Sequence, residues 1–119
     1  MNTDITSGIQ TATTTGPLTG SLDTSALTGK YAVKLNLSIS VGVAVVALED
    51  TANATPFADA VQVAIFDVKD AGPREGLTES RQDYEIPNTR FGAANTKLRF
   101  NVLEIAGGGT LTARGWLQQ

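Results

Sequence analysis

A chain of 119 residues, 41% hydrophobic and 18% charged, has the size and composition of one globular domain. Its net charge of −3 and scattered basic residues lack the concentrated Lys and Arg of a nucleic-acid interface. The absence of Cys and His excludes disulfides, thiolate nucleophiles, Ser-His-Asp and Cys-His arrangements and ordinary zinc sites.

Residues 1–29 hold twelve Ser and Thr, four Gly, one Pro and two charges, Asp4 and Asp23. Ile5, Ile9, Leu18, Leu22 and Leu27 are too isolated to form a period of either kind. The reading is an extended arm, with one short edge strand near Ile9 to Thr15. Such a segment has no core of its own, so it lies on its own domain or on a neighbour. MNTDITSGIQ has neither a basic region nor an apolar stretch and does not read as a secretory signal, and no apolar run is long enough to span a bilayer. The expectation is synthesis in a cytoplasm and no membrane partner.

A domain is expected over 30–119. YAVKLNLSISVGVAV, residues 31–45, carries an apolar side chain at every odd position, which reads as a strand with one buried and one polar face. Extended throughout, it would run about 50 Å, against a usual ~17–20 Å. A corner near Ser40 to Gly42 is therefore expected between strands at about 30–39 and 42–49, with the odd parity from Tyr31 to Val45 facing one core throughout.

EDTANATPF, residues 49–57, reads as a turn. AVQVAIFDV alternates Val61, Val63 and Ile65, then loads the opposite parity with Phe66 and Val68, which implies a bulge or burial on both faces. Residues 69–82 read as a polar loop punctuated by Gly72-Pro73. DYEIP reads as a short strand ended by Pro87, with NTRFGAANT as a connector. KLRFNVLEI and TLTARGWLQ read as a terminal hairpin around Gly107–Gly109. Short strands and no helical period point to an all-β domain, a single β-sandwich or a jelly-roll-like barrel with an extended N-terminal arm.

The chemistry-bearing groups stay individually unconvincing. Asp67, Asp70, Glu75, Glu79, Asp83 and Glu85 lack the spacing of a calcium loop and read as solvated charges. The triple glycine precedes a strand rather than a helix, so it reads as a turn and not as a phosphate cradle. Trp116 falls among Leu111, Ala113 and Leu117 and reads as a core or interface residue, with a sugar-stacking pair with Tyr84 as the other possibility. No nucleophile, general base, cofactor or metal site can be assembled, and the expectation is a protein that is not an enzyme.

LTGKYAVKLNLSISVGVAVVALEDT and KLRFNVLEIAGGGTLTARGWLQQ together resemble the opening and closing patterns of small β-sandwich structural proteins of tailed bacteriophage virions. The resemblance implies a capsid decoration (cement) protein or a related tail or fibre module. Its expected partner is the major capsid protein, with the chain acting as a homotrimer on the virion's capsid surface and without nucleic acid or cofactor. Attachment is expected through the arm, at Ile5, Ile9, Leu18 and Leu22, and loss of residues 1–20 is expected to leave a folded domain. The alternative is a carbohydrate- or receptor-binding module of a tail fibre or adhesin.

Overall fold

In a computed structural model, described over residues 2–24, 27, 29–51, 61–69, 80–89 and 97–119, the alternation of residues 31–39 becomes one nine-residue strand. All five odd residues of this strand, Tyr31 to Ile39, are buried. Ten strands are described: β1 (Asn2–Asp4), β2 (Gln10–Ala12), β3 (Gly16–Pro17), β4 (Leu22–Asp23), β5 (Tyr31–Ile39), β6 (Val43–Thr51), β7 (Val61–Lys69), β8 (Ser80–Thr89), β9 (Lys97–Ala106) and β10 (Leu111–Gln118). No helix occurs among the described residues.

The strands form two antiparallel sheets that pack face to face as a β-sandwich. The front sheet runs β1/β2–β10–β5–β8 and the back sheet β3/β4–β9–β6–β7, with β1 and β2 sharing one edge and β3 and β4 the other. Pairing is folded about the middle of the chain: β6 pairs β7, β5 pairs β8, β3 and β4 pair β9, and β1 and β2 pair β10. The chain is thus one long antiparallel ribbon wound around itself, which is jelly-roll winding. Between the sheets lie Leu35, Leu37 and Ile39 of β5, Val46 and Leu48 of β6, Leu98 and Phe100 of β9, and Leu111 and Leu117 of β10, all at most 1% exposed.

The corner at 40–42 falls where the alternation required it, but the chain there passes from the front sheet to the back one. The core-facing parity switches as a result. Ala44, Val46 and Leu48 are fully buried, while Val41 is 46% exposed and Val43 and Val45 are half-buried, so the odd parity does not run through to Val45. Gly107–Gly109 corrects a second expectation. β9 and β10 belong to different sheets and are not paired, so the glycines form an arch between sheets and not a hairpin. The two crossings lie against each other. A Cβ on Gly42 (φ +85°) would sit 1.9 Å from the Ala106 carbonyl oxygen, and one on Gly109 would sit 1.9 Å from that of Val41. Backbone touches backbone there, and only glycine leaves room. Ser40 completes the contact, its N–H donating to the Thr110 carbonyl and its Oγ accepting from the Thr110 N–H.

Strand limits also shift. Asp50 and Thr51, expected in a turn, belong to β6, and β8 begins at Ser80 and continues through Pro87. Proline is accommodated because β8 is an edge strand and its pairing with β5 slips by one residue between Val33↔Ile86 and Tyr31↔Thr89. In β7 the bulge reading holds. The register against β6 shifts beside Val63, Phe66 and Val68 face the core, and Val61 and Ile65 stand 63% and 60% exposed. The rest of the turn at 52–57, the loop at 70–79 and the connector at 90–96 lie outside the described residues.

Residues 2–23, expected as an extended arm lying on its own domain or on a neighbour, supply the outer strands of both sheets, and the expected short strand appears as β2. Each piece is two or three residues long, and isolated backbone bonds and the Thr6 hydroxyl bridge the gaps. Between β1 and β2 the chain bends away from β10, leaving Gly115 without a strand partner on that side. The Gly115 carbonyl accepts from the Ile5 and Thr6 N–H groups, and its N–H donates to Thr6 Oγ1 at 3.0 Å. The same hydroxyl donates to the Gly8 carbonyl at 2.8 Å, so the buried Thr6 is satisfied. Between β3 and β4, the Leu18 N–H donates to the Phe100 carbonyl.

Gly115 is required from the core side as well. A Cβ there would lie 2.1 Å from the Phe100 ring, which rests on the bare backbone. Gly115→Ala is expected to destabilise the chain by about 2–3 kcal/mol or more through overpacking. Urea unfolding would show this, with Gly108→Ala as a comparison in which strain at φ +78° acts without any clash.

Candidate interaction surface

The four residues expected to attach the chain to a partner separate into three environments. Ile5 is 1% and Leu18 6% exposed, both within the chain's own core, and Leu22 is half-buried against that core. Ile9 alone projects, 69% exposed, from the bend between β1 and β2. The reason is geometric. An isolated aliphatic residue in a Ser/Thr-rich segment has no period to reveal its direction, and Ile5 and Leu18 fall where the segment crosses the open side of the sandwich.

Ile9 stands beside the outer face of the front sheet. Alternation places Thr112, Arg114 and Trp116 of β10, Lys34, Asn36 and Ser38 of β5, and Arg81, Asp83 and Glu85 of β8 on this face, in three rows across the strands. One row is Thr112–Ser38–Arg81, the next Arg114–Asn36–Asp83, and the third Trp116–Lys34–Glu85. The surface holds two shallow depressions that share Asn36 and Arg81, one extending to Ile9 and the other to Trp116. Each cation has a carboxylate nearby: Lys34 Nζ lies 3.5 Å from Glu85, Arg81 Nε 3.3 Å from Asp83 and Arg114 Nη2 3.2 Å from Asp4. Exposed pairs of this kind contribute at most about 1 kcal/mol each, so the result is a charge-balanced face and not a strong field.

Trp116 is not in the core. It lies half-buried on this outer face with the Arg114 guanidinium 5.2 Å from its ring centre. Asp4 of β1 holds Arg114 there, so the N-terminal segment is tied to the ring through a cation–π contact. Tyr84 faces the other way. Its ring packs 5.0 Å from Phe66 across the open side between β7 and β8, and its hydroxyl donates to the Asp67 carbonyl at 2.6 Å. Burial, followed by the second hydrogen bond of the hydroxyl, to Asp67 Oδ1, and the charge of that carboxylate, pushes the Tyr84 phenol up, outweighing the bond to the backbone carbonyl. Tyr84 borders the same depression as Trp116, but its ring is engaged with Phe66, so the two rings form no shared stacking platform.

The outer face of the back sheet differs. Ala47 at its centre is fully buried, Ile65 beside it is exposed, and Glu49 is only 6% exposed. Glu49 accepts from Arg99 Nε at 2.7 Å and from Asn101 Nδ2 at 3.1 Å, so both carboxylate oxygens are engaged. Glu49 falls where the expected strand meets the expected turn, and sequence reading gives no sign of this cluster, because Arg99 and Asn101 lie three strands further along the chain.

Of the six clustered carboxylates, Asp67, Asp83 and Glu85 are exposed on β7 and β8, whereas Asp70, Glu75 and Glu79 lie outside the described residues. Among the described residues no group of three or more Asp and Glu is placed to hold a metal ion. Also among them, no helix is long and apolar enough to cross a membrane.

The burial pattern predicts how single truncations behave. Ile5→Ala and Leu18→Ala are each expected to cost about 2–5 kcal/mol of unfolding free energy, as core truncations do. Ile9→Ala is expected to stay within about 0.5 kcal/mol of the parent, and thermal or urea denaturation of the three variants checks the ordering.

No protein-family model matches the chain, and a search of curated proteins returns no match.

Proposed function

We propose that the chain is a non-enzymatic structural protein of a tailed-phage virion, most specifically a head decoration protein that binds the major capsid protein and acts as a homotrimer on the capsid surface. One observation supports this reading above the others: large aliphatic side chains, Ile9, Val61 and Ile65, stand more than half exposed on strands and bends. The depressions nearest Ile9 and Trp116 are shallow, so what the molecule offers a partner is broad sheet surface. Aliphatic residues set in a polar surface of that kind suit protein–protein contact. Jelly-roll winding is used by viral capsid domains and also by lectins and cupins, so the fold is compatible with the reading without selecting it. The similarity of residues 27–50 and 97–119 to phage structural domains adds the virion context. The proposal differs from the sequence expectation in one respect: attachment uses Ile9 and the exposed aliphatic residues of β7, because Ile5 and Leu18 are occupied inside the domain.

Co-sedimentation with shells of the major capsid protein from the same genome tests this. The parent chain is expected to bind saturably, and Ile9→Asp or Ile65→Asp to weaken binding about tenfold or more while melting normally, as loss of an interface anchor does. Shells left bare by the parent chain would refute the decoration role, and a strictly monomeric mass at high concentration would refute the trimer.

A further inference from the structure

The N-terminal segment behaves geometrically as a clip. One limb, β1 and β2, lies along β10 at the edge of the front sheet, and the other, β3 and β4, lies along β9 at the edge of the back sheet. The limbs hold each other across the gap. The Ser7 N–H donates to the Thr19 carbonyl at 2.8 Å, and Gly20 (φ +114°) packs so closely that a Cβ would lie 2.6 Å from the Ile5 carbonyl oxygen. The clip is bonded to the backbone of β9 and β10, including Gly115 between the β1 and β2 pairings, and Asp4 adds an ion pair to Arg114. Its two inserted side chains are Ile5 and Leu18.

We propose that this clip is exchangeable: the site on β9 and β10 accepts residues 2–23 from a second copy of the same chain, so that adjacent copies are linked by swapped clips. Four features point to that occupant. The clip forms the outer strands of both sheets, so it can leave without breaking the pairing between any two other strands. Its pairings are short pieces of two or three residues, so it is held by many small contacts rather than one long ladder. A swapped clip remakes the same contacts, which is why exchange of identical elements is a low-cost route to association. The connection is also long enough: from Asp23 to Tyr31 the chain reaches at most about 29 Å when extended, comparable with the 28 × 20 Å cross-section of the molecule. A neighbour lying alongside is within reach. Closed clips dominate in dilute solution because a short connection holds the clip at an effective concentration of about millimolar. Exchange becomes competitive where copies are packed together at similar density. This linkage concerns only the chain's own copies and stands whether or not the virion reading holds.

The absence of cysteine makes the test direct. Thr11 and Thr112 are direct cross-strand partners between clip and body, on or near the solvent face. Facing positions of adjacent strands have Cα separations within disulfide range. Chains carrying only Thr11→Cys are mixed with chains carrying only Thr112→Cys, concentrated to about millimolar, and oxidised. The control mixture pairs Thr112→Cys with Lys69→Cys, an exposed position on the far edge of the back sheet. The proposal predicts covalent heterodimers at least tenfold above the control, increasing with concentration and incubation time. The Thr11→Cys/Thr112→Cys double variant, oxidised when dilute, is expected to close within one chain, which verifies the register independently. Formation of that internal bond together with heterodimer no higher than the control at any concentration would overturn the proposal.

Discussion

Two stacked sheets leave open sides, and the fold depends on how the side between β9 and β10 is closed. A sandwich edge exposes unpaired backbone groups and a view into the apolar interior. Here the Thr6 hydroxyl, the Gly115 backbone and the inserted side chains of Ile5 and Leu18 close it together. The hydrogen bonds satisfy Gly115 where the ladder is interrupted, while each insertion removes about 1.5–3 kcal/mol worth of aliphatic surface from water. The opposite side, between β7 and β8, is closed more lightly. Phe66 and Tyr84 tilt against each other there, the Tyr84 hydroxyl reaches across to β7, and Pro87 with the charges of β8 blunts the edge against further pairing.

The ribbon winding accounts for where the glycines sit. Two arches must cross between the sheets at the same end, one at 40–42 and the other at 107–109. They approach until backbone meets backbone, as the forbidden Cβ positions on Gly42 and Gly109 show. Gly115 serves a different close approach, that of the Phe100 ring to β10. Two close approaches, arch against arch and ring against strand, thus set three glycine positions.

The core strands were legible because period-2 alternation reports burial directly. β5, β9 and β10 fall within a residue or two of their expected limits, and the corner near Gly42 follows from strand length alone. Sheet membership was not legible. The switch of parity after Ile39 and the arch at Gly107–Gly109 depend on which sheet the chain enters next, which local pattern does not encode. The N-terminal segment was hardest, since its pairing is too short to show alternation and its anchors come from a hydroxyl and two isolated aliphatic residues. For the same reason Ile5 and Leu18 read as free for a partner when their partner is the domain itself. Only Ile9 kept the exposure expected of all four. The Glu49–Arg99–Asn101 cluster escaped because Arg99 and Asn101 lie three strands further along the chain.

The surfaces left after this closure are two unlike faces, a charge-balanced front bearing Trp116 under Arg114 and a back where Ile65 is exposed beside the buried Glu49. The front face and the core beneath it depend on the N-terminal segment remaining seated, since Asp4 holds Arg114 and the segment pairs with the strands at Leu98, Phe100 and Leu117. Equilibrium unfolding of the chain lacking residues 1–20 therefore tests the central claim most directly. The account predicts a loss of about 4 kcal/mol or more, from the removal of two buried aliphatic side chains, together with increased binding of a hydrophobic dye. A truncated chain that unfolds at the same denaturant concentration as the full chain, with no added dye binding, would contradict it.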